Sequence, residues 1–375
     1  MKFSVPQPVL LNLIQTVSKA VAVRTTKQVL TGILLTLTED ALTATAYDLE
    51  LGIQDSVPVS EESGLKVLQP GAIVLSARYL TDVIKKLPNT DISIQVNNNY
   101  VTEIQSGTAQ FHLHGIDAAE FPKLPVFFGA KSLTIPSTTL KELIRTTAFA
   151  ASTSEVRPML TGIYLQAFAD KLVLTATDGL RLATNTVSLQ SGIEEPWTAI
   201  IPAKSLTELS KILPDDAQPV SMQFGDSHSL FSIGSTLFYT RLIDGNYPDT
   251  SRIIPSVHKT EIDLPVEVIS DAIDRAALIA RDRENHMVRL EIAGSELTVS
   301  SSSPEIGNVS ETVSATSKQG DDLLIAFNAR YVLDALRTSY PGEVKILFNG
   351  SNQPFILKQE DQGDGLQLIS PVLMR

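Results

Sequence analysis

The chain has 375 residues, a formal net charge of −12, 43% hydrophobic residues and no cysteine. This length exceeds what a single hydrophobic core usually serves, so we expect several domains. The lack of cysteine excludes disulfide scaffolds, cysteine nucleophiles and thiolate metal sites. No stretch approaches the ~20 apolar residues of a membrane span, and no apolar signal region follows Met1. We therefore expect a cytoplasmic protein with no membrane partner.

The first third of the chain predicts two short helices among about eight strands. Apolar residues recur at helical spacing over Gln7–Val21 and Ala77–Lys86. Strands are predicted where apolar and polar residues alternate, at Lys2–Val5, Gly32–Thr38, Ala41–Tyr47, Gly52–Val59, Gly71–Leu75, Asp91–Val96, Tyr100–Ser106 and Ala109–His114. The irregular segment Phe121-Pro-Lys-Leu-Pro125 follows. This mixture is typical of an α+β fold.

The same order of elements recurs along the chain. Leu30-Thr-Gly-Ile33 returns 130 residues later as Leu160-Thr-Gly-Ile163, and Glu120-Phe-Pro122 returns 126 residues later as Asn246-Tyr-Pro248. Two helix-start patterns occur three times each, at Pro6, Pro136 and Pro265 and at Ser76, Pro202 and Asn328. Such self-similarity predicts three homologous modules of typical domain size. Their boundaries are predicted near Ala130 and His258, which gives modules 1–128, 129–256 and 257–375.

The segment Thr175–Thr184 predicts a hairpin, because Asp178-Gly179 is flanked by alternating apolar residues. Asp48 lies in the same register 130 residues earlier. Asp178 is interpreted as a turn residue that bonds its own backbone rather than as a metal ligand or catalytic carboxylate. The chain has no phosphate-binding glycine loop, Ser/His/Asp set or paired-carboxylate signature. No catalytic residue is therefore predicted.

The pair His112 and His114 could form a metal site, since both imidazoles lie on one face of a predicted strand. No acidic cluster accompanies them. The interpretation we prefer is that the histidines lie on one face of the strand, and that the functionally informative face is the opposite one, formed by Phe111 and Leu113. No metal ligand or cofactor is therefore predicted.

The helices concentrate positive charge on an acidic chain. Six helix-bearing windows hold 16 Lys/Arg and 9 Asp/Glu, a net of +7, and the rest of the chain carries −19; the windows are 6–27, 76–88, 136–157, 202–214, 265–283 and 328–341. Cations at helix C-termini can reflect the helix macrodipole alone. The other interpretation is that the helices face a polyanion, which suits sequence-independent contact with a nucleic-acid backbone.

Two apolar features stand apart from the predicted core. In the helix after Pro265, a core stripe of Val268, Ile269, Ala272, Ile273 and Ala276 leaves Leu278 nearly opposite. An exposed leucine is common, so a subunit contact is one of two interpretations. The tail, residues 366–375, is too apolar to fray, and we expect it to dock against the body or to leave a groove beside it.

Several of these motifs together resemble the bacterial DNA polymerase III beta subunit family, the sliding clamps. They are the three modules, Ala176-Thr-Asp-Gly-Leu-Arg-Leu182, Asp244-Gly-Asn-Tyr-Pro-Asp249 and the tail Leu368-Ile-Ser-Pro-Val372. The resemblance spans the whole chain. It implies a head-to-tail homodimer in which six modules close a ring, with the helices around double-stranded DNA and the sheets outside.

The resemblance also implies a function in DNA replication without catalysis or a cofactor. Such a processivity factor tethers the replicative DNA polymerase and other DNA-handling partners, and a clamp loader opens the ring. Topological retention needs only weak phosphate contacts, which agrees with the charge pattern and with an absence of sequence preference.

The resemblance implies three sets of site residues. DNA contacts fall on Arg24, Arg78, Ser154, Pro158 and Met159, the last two in place of an aromatic pair. Dimer contacts fall on Phe111, Leu113, Leu278 and Ile279. A pocket for partner peptides with Leu and Phe anchors falls on Leu160, Thr177, Gly179, Leu180, Arg181, Leu182, Pro248, Arg252, Ile253, Asn328, Tyr331, Leu368, Ser370, Pro371 and Val372. Within that set, we expect an apolar floor and a polar rim that includes Arg181 and Arg252.

Two other functions compete with this interpretation. One is a hydrolase or transferase that uses Asp178 and Arg181, which no motif supports. The other is a repeat-built peptide-binding scaffold that never encircles DNA, against which the positive helix windows argue.

Overall fold

The computed structural model describes residues 1–127, 131–189, 193, 195–280, 286–359 and 364–374. The predicted boundary at Ala130 lies outside these residues. The chain forms two compact units. The first unit comprises Met1–Thr138 and Lys211–Leu242, and the second comprises Thr139–Ser210 and Ile243–Arg375.

Each third of the chain contains two α-helices in the described residues. The helices are α1 (Gln7–Val17), α2 (Ala77–Lys86), α3 (Ser137–Thr147), α4 (Ala203–Ser210), α5 (Val266–Ala280) and α6 (Ala329–Leu336). Each helix begins directly after one of the predicted start residues, which are Pro6, Ser76, Pro136, Pro202, Pro265 and Asn328. Proline supports a helix start because it lacks an N–H that the helix would leave unbonded.

The strands of the first third are β1 (Lys2–Pro6), β2 (Gly32–Leu37), β3 (Ala41–Tyr47), β4 (Leu51–Pro58), β5 (Lys66–Gln69), β6 (Gly71–Ser76), β7 (Asp91–Val96), β8 (Val101–Ser106) and β9 (Ala109–His114). The next third contains β10 (Lys131–Pro136), β11 (Gly162–Ala167), β12 (Lys171–Thr177), β13 (Arg181–Ser188), β14 (Trp197–Pro202), β15 (Pro219–Phe224), β16 (His228–Ile233) and β17 (Thr236–Arg241).

The last third contains β18 (Thr260–Pro265), β19 (Met287–Ala293), β20 (Glu296–Ser303), β21 (Gly307–Ser314), β22 (Ser317–Gly320), β23 (Leu323–Asn328), β24 (Glu343–Phe348), β25 (Phe355–Lys358) and β26 (Leu366–Ile369). All pairings between these strands are antiparallel across the four sheets.

The first unit holds two sheets. One has five strands in the order β5-β1-β7-β8-β9, and the other has eight in the order β10-β15-β16-β17-β4-β3-β2-β6. Helices α1 and α2 pack together, and the amide of Gln7 donates a buried 2.9 Å hydrogen bond to the carbonyl of Ile84. In the eight-stranded sheet, Phe231 packs edge-on against Phe224 and Phe238. Such edge-to-face contacts fix ring orientation as well as burying apolar surface.

The second unit also holds two sheets. A nine-stranded sheet runs β14-β11-β12-β13-β26-β25-β24-β18-β22, and a four-stranded sheet runs β21-β20-β19-β23. Helices α5 and α6 pack together over a core that includes Ile269, Ile273, Phe327 and Phe355. The predicted tail is confirmed as a docked segment, since β26 lies inside the nine-stranded sheet between β13 and β25.

Three local predictions were wrong. Helix α1 ends at Val17 rather than Val21, because the hydroxyl of Ser18 donates to the carbonyl of Ile14 and a short 3₁₀ turn follows. Val268 is not in the core: it is 38% exposed, and Val266 is buried instead. Strand β5 was missed because it is a short, mostly exposed edge strand whose sequence does not alternate.

Candidate functional site

Strands β12 and β13 form a hairpin whose last pair is Thr177 and Leu182, and four residues lie between these two. The Oδ1 atom of Asp178 accepts hydrogen bonds from the backbone N–H groups of Leu180 (2.9 Å) and Arg181 (3.0 Å). The predicted turn role of Asp178 is therefore confirmed. Gly179 has φ +95°, a backbone conformation that favours glycine. The loop is thus longer than the two-residue turn that the sequence suggested.

Arg181 does not lie on the polar rim, and this expectation was wrong. Its guanidinium donates to Asp334 Oδ2 at 2.8 Å and to Asp178 Oδ2 at 3.1 Å, and only 12% of its side chain is exposed. The same group lies 4.6 Å from the ring centroid of Tyr331 and 5.4 Å from that of Phe149. Arg181 therefore ties the hairpin to α6 by a charge-assisted bond and by cation–π contacts.

The C-terminal tail runs alongside the hairpin. Strand β26 pairs with β13, with Leu368 opposite Leu182. Beyond the strand, the N–H of Ser370 donates to the carbonyl of Leu180 at 2.9 Å, and the N–H of Val372 donates to the carbonyl of Ala326 at 2.7 Å. The tail and the hairpin are therefore held together by backbone hydrogen bonds rather than facing each other across an open groove.

An apolar cluster underlies the hairpin and the tail. Leu182 and Leu368 are 1% and 3% exposed, and they pack with Leu347 and Ile356. The partly buried Ile254 packs against this cluster. Sequence reasoning missed Leu347 and Ile356, since only the pairing of β24 and β25 beside β26 brings them here. It also missed Ile254, which follows the 3₁₀ helix Ser251–Ile253.

A second buried patch lies at the base of the hairpin. The Tyr247 hydroxyl accepts a 3.0 Å hydrogen bond from the N–H of Thr177, and its ring stacks on Tyr164 with centroids 4.9 Å apart. Burial raises the pKa of the Tyr247 hydroxyl well above its ordinary value. Leu160, at 3% exposure, is part of the buried core. Tyr247 is a further residue of this region that sequence reasoning did not place in the site.

Most of the other predicted pocket residues are accessible. Leu180 and Ile253 are 55% and 48% exposed, and Pro248 and Arg252 are also exposed. Asn328 caps α6 by accepting from the N–H of Arg330 at 2.9 Å. Pro371 and Val372 are half-buried. The hairpin, the tail and the start of α6 thus combine exposed apolar groups with a buried apolar floor, as in a peptide-binding site.

Arg157 is a residue of this site that sequence reasoning missed. Its guanidinium nitrogen lies 3.1 Å from the position that a Cβ on Gly179 would occupy. A side chain at 179 would therefore meet both this contact and an unfavourable backbone conformation. The signal available in the sequence was the position of Arg157 just before Pro158, at the end of a charged loop.

The residues predicted to touch DNA are mostly exposed. Arg24 lies in the loop between the 3₁₀ helices Ser18–Ala20 and Gln28–Thr31, and Arg78 lies in the first turn of α2. Neither makes an ion pair within the described part of the chain. In the second unit, Ser154 and Pro158 are exposed and Met159 is half-buried.

Not every helix cation is available to a polyanion. Arg145 pairs with Glu142 at 2.7 Å and stacks over Tyr340 at 4.9 Å, and Arg275 pairs with Glu311 at 2.7 Å. These internal pairs reduce the positive charge that the second unit offers. In α2, by contrast, Lys85 and Lys86 are exposed at the C-terminus.

The residues predicted to form a dimer contact lie at or near sheet edges. Strand β9 is an edge strand of the five-stranded sheet, and Phe111 is 37% exposed on it. Register places Phe111 and Leu113 opposite Ile104 and Thr102, on the face away from the histidines. A cavity of about 390 Å³ borders Leu113. In the second unit, Leu278 is 51% exposed and Ile279 is half-buried on α5, which packs on the edge strand β21.

The described residues contain no group of three or more His, Cys, Asp or Glu side chains arranged to hold a metal ion. Among these residues, no helix has both the length and the apolar character needed to cross a membrane.

Comparison with known proteins accounts for almost the whole chain. Residues 1–125 match the N-terminal domain of the DNA polymerase III beta subunit, residues 134–249 its central domain and residues 251–373 its C-terminal domain. The chain belongs to the DNA polymerase III beta subunit family. Members are DNA sliding clamps, which are non-catalytic processivity factors, so the chain is not an enzyme.

Individual relatives agree with this assignment. The chain is 41% identical to the beta sliding clamp of Bacillus subtilis (strain 168) and 36% identical to that of Staphylococcus aureus (strain Mu50), over 99% of both chains in each case. The crystal structure of the Bacillus subtilis clamp superimposes with a TM-score of 0.96 at 40% identity, over 100% of both chains. A Pseudomonas aeruginosa sliding clamp bound to griselimycin gives 0.94 at 28% identity, again over 100% of both. The predicted family and the α+β fold of three clamp modules are therefore confirmed.

Proposed function

We propose that this chain acts in the cytoplasm as a ring-shaped homodimer that encircles double-stranded DNA and tethers the replicative polymerase, with a clamp loader opening the ring. The proposal rests on one observation above all: three clamp domains follow one another along the whole chain. A chain made of three such modules needs a second copy to reach six. Retention by encirclement needs no base contacts, which suits a protein that must slide.

In this proposal, DNA contacts come from Arg24, Arg78, Ser154, Pro158 and Met159. The guanidinium groups of Arg24 and Arg78 are exposed and form no ion pair among the described residues, which supports their part in it, because such a cation can neutralise a phosphate. Pro158 and Met159 offer apolar contact to the sugar–phosphate backbone rather than a charge. All five contacts are independent of base sequence.

The dimer contact in this proposal joins β9 of one copy to the region of α5 and β21 of the other. Edge strands carry unpaired backbone groups that favour pairing with another chain. Phe111 and Leu113 on one side and Leu278 and Ile279 on the other supply apolar surface for a heterologous interface, which closes into a ring when the rotation allows it. A ring of two copies has two equivalent interfaces.

Partners bind in this proposal through a short peptide with Leu and Phe anchors, on the surface formed together by the hairpin at Asp178, the tail and the start of α6. The exposed Leu180 and Ile253 beside a buried apolar floor support this placement. Two anchors at roughly 2 kcal/mol each, less the cost of ordering a flexible peptide, give an affinity of micromolar order. Such weak binding allows one partner to replace another.

The module boundaries that we propose are 1–128, 129–256 and 257–375.

Encirclement is tested by loading the protein onto closed circular DNA with a clamp loader and then linearising the DNA. We expect the circle to retain the protein and the linear form to release it from its ends, with no dependence on base sequence. Arg24→Glu combined with Arg78→Glu should reduce loading and retention, whereas Lys66→Glu, on the edge strand β5, is the matched control. Equal retention on circular and linear DNA with free ends would favour the peptide-binding scaffold and rule out encirclement.

A further inference from the structure

The hairpin at Asp178 has a structural copy at Asp48 in the first unit. The Oδ1 atom of Asp48 accepts from the N–H groups of Glu50 (2.9 Å) and Leu51 (2.7 Å), which repeats the two bonds made by Asp178. The segment next to each hairpin also donates a backbone hydrogen bond to the hairpin at the matching position. The N–H of Arg241 donates to the carbonyl of Glu50 at 2.8 Å, just as the N–H of Ser370 donates to that of Leu180.

The positions around the two hairpins also correspond. Leu30 precedes Leu160 by the repeat distance of 130 residues, and both are buried at 1% and 3% exposure. By the same distance, Tyr47 corresponds to Thr177. Strand β17 pairs with β4 where β26 pairs with β13, and Tyr239 lies opposite Gly52 as Leu368 lies opposite Leu182. The first unit therefore contains the framework of the proposed peptide pocket.

The two copies differ in what covers the floor. In the first unit, a Cδ atom of Leu124 lies 2.9 Å from the position that a Cβ on Gly52 would occupy. Leu124 packs against the cluster of Val29, Leu30, Tyr47, Val74 and Phe121. An apolar side chain of the chain's own connecting segment thus occupies the floor of this copy.

The corresponding segment of the second unit is polar at that position. Counted from the matching residues Phe121 and Tyr247, Thr250 takes the place of Leu124. The neighbouring Asp249 folds the segment onto itself, because its Oδ1 atom accepts from the N–H (3.0 Å) and the hydroxyl (2.7 Å) of Ser251. This segment therefore brings no large apolar side chain at position 250 to compete with a partner's anchor.

We infer that the first module carries a second copy of the peptide pocket, closed by Leu124, and that a peptide with an apolar anchor binds there once this side chain is removed. The inference rests on the proposed peptide pocket of the second unit. It explains physically how the first and second modules can differ as sites for partners despite their repeats: the framework of the first module is filled from within.

The experiment exchanges the two covering residues in the full chain. Leu124→Thr, Thr250→Leu and the wild type are titrated with the pentapeptide Gln-Leu-Ser-Leu-Phe by calorimetry. We expect the wild type to bind one peptide per chain and Leu124→Thr to bind two. Thr250→Leu should bind at least about tenfold more weakly than wild type, because an apolar side chain then competes for the place of one buried anchor.

A further variant locates the new site. Leu124→Thr in a chain that lacks Pro371 onward should still bind one peptide, since the proposed pocket of the second unit is disabled there. The inference is overturned if Leu124→Thr binds one peptide per chain, if its truncated form binds none, or if Thr250→Leu binds as tightly as wild type. A wild type that binds no peptide would instead refute the proposed pocket itself, and the inference with it.

Discussion

At the scale of single residues, Arg181 shows how one side chain can organise a site without forming its surface. It links the hairpin residue Asp178 to Asp334 on α6, and Tyr331 stacks on its guanidinium. Burial and the nearby carboxylate of Asp178 raise the pKa of the Tyr331 hydroxyl above its ordinary value. The cation therefore holds Tyr331 and the hairpin wall in one arrangement.

We expect Arg181→Met to destabilise the protein and to weaken peptide binding. The substitution leaves two partly buried carboxylates without their shared cation, which should cost about 1–3 kcal/mol in the free energy of unfolding. Urea unfolding and calorimetry with the same peptide measure the two effects. Arg252→Met is the matched control for the unfolding measurement, because the Arg252 side chain is 89% exposed and its contact with Asp249 is 3.5 Å. If the two variants unfold alike, Arg181 does not have this role.

At the scale of elements, the tail joins two modules through backbone hydrogen bonds. Strand β26 completes a sheet between β13 and β25, and the residues after it continue along the hairpin to Ala326. The strand itself is buried in the sheet, whereas Pro371 and Val372 are only half-buried beyond it. The last residues can therefore be removed without opening the sheet.

Deleting the residues from Pro371 onward should abolish binding of a peptide of the Gln-Leu-x-Leu-Phe type while leaving the dimer and DNA encirclement intact. The physical reason is that β26 keeps its pairing and only the contacts beyond it are lost. Calorimetry measures the binding. A shorter truncation that removes only Met374 and Arg375 is the control, since it keeps the bond from Val372 to Ala326. Unchanged binding by the longer truncation would show that the tail is not part of the site.

At the scale of the whole molecule, the proposed ring depends on how two copies meet. We expect light scattering at micromolar concentration to give twice the 40.6 kDa of one chain. Leu278→Asp should dissociate the dimer, because burying one such side chain is worth about 1.5–3 kcal/mol and a charge would be buried in its place. Leu68→Asp is the control: Leu68 is 64% exposed on β5, at the edge of the sheet opposite β9. A monomeric wild type, or an intact Leu278→Asp dimer, would contradict the proposal.

The features that the sequence alone determined are those encoded in neighbouring residues. Pro6, Pro136 and Pro265 mark the start of a helix in each module, because proline fixes φ and has no N–H to lose. The turn role of Asp178 was also predictable from local sequence, since its hydrogen-bond partners are two and three residues away. The repeat was visible because each module uses the same local rules in the same order.

Only the tertiary structure decided which residues meet across long separations. Leu347 and Ile356 reach the floor of the candidate pocket through strand pairing, and Asp334 reaches Arg181 across 153 residues of chain. Nothing in the local pattern around Arg181 distinguishes an exposed rim arginine from a buried one, because burial depends on the carboxylates and rings that other elements supply. The same applies to Leu124, which packs close to the distant strand β4 because Gly52 has no side chain there.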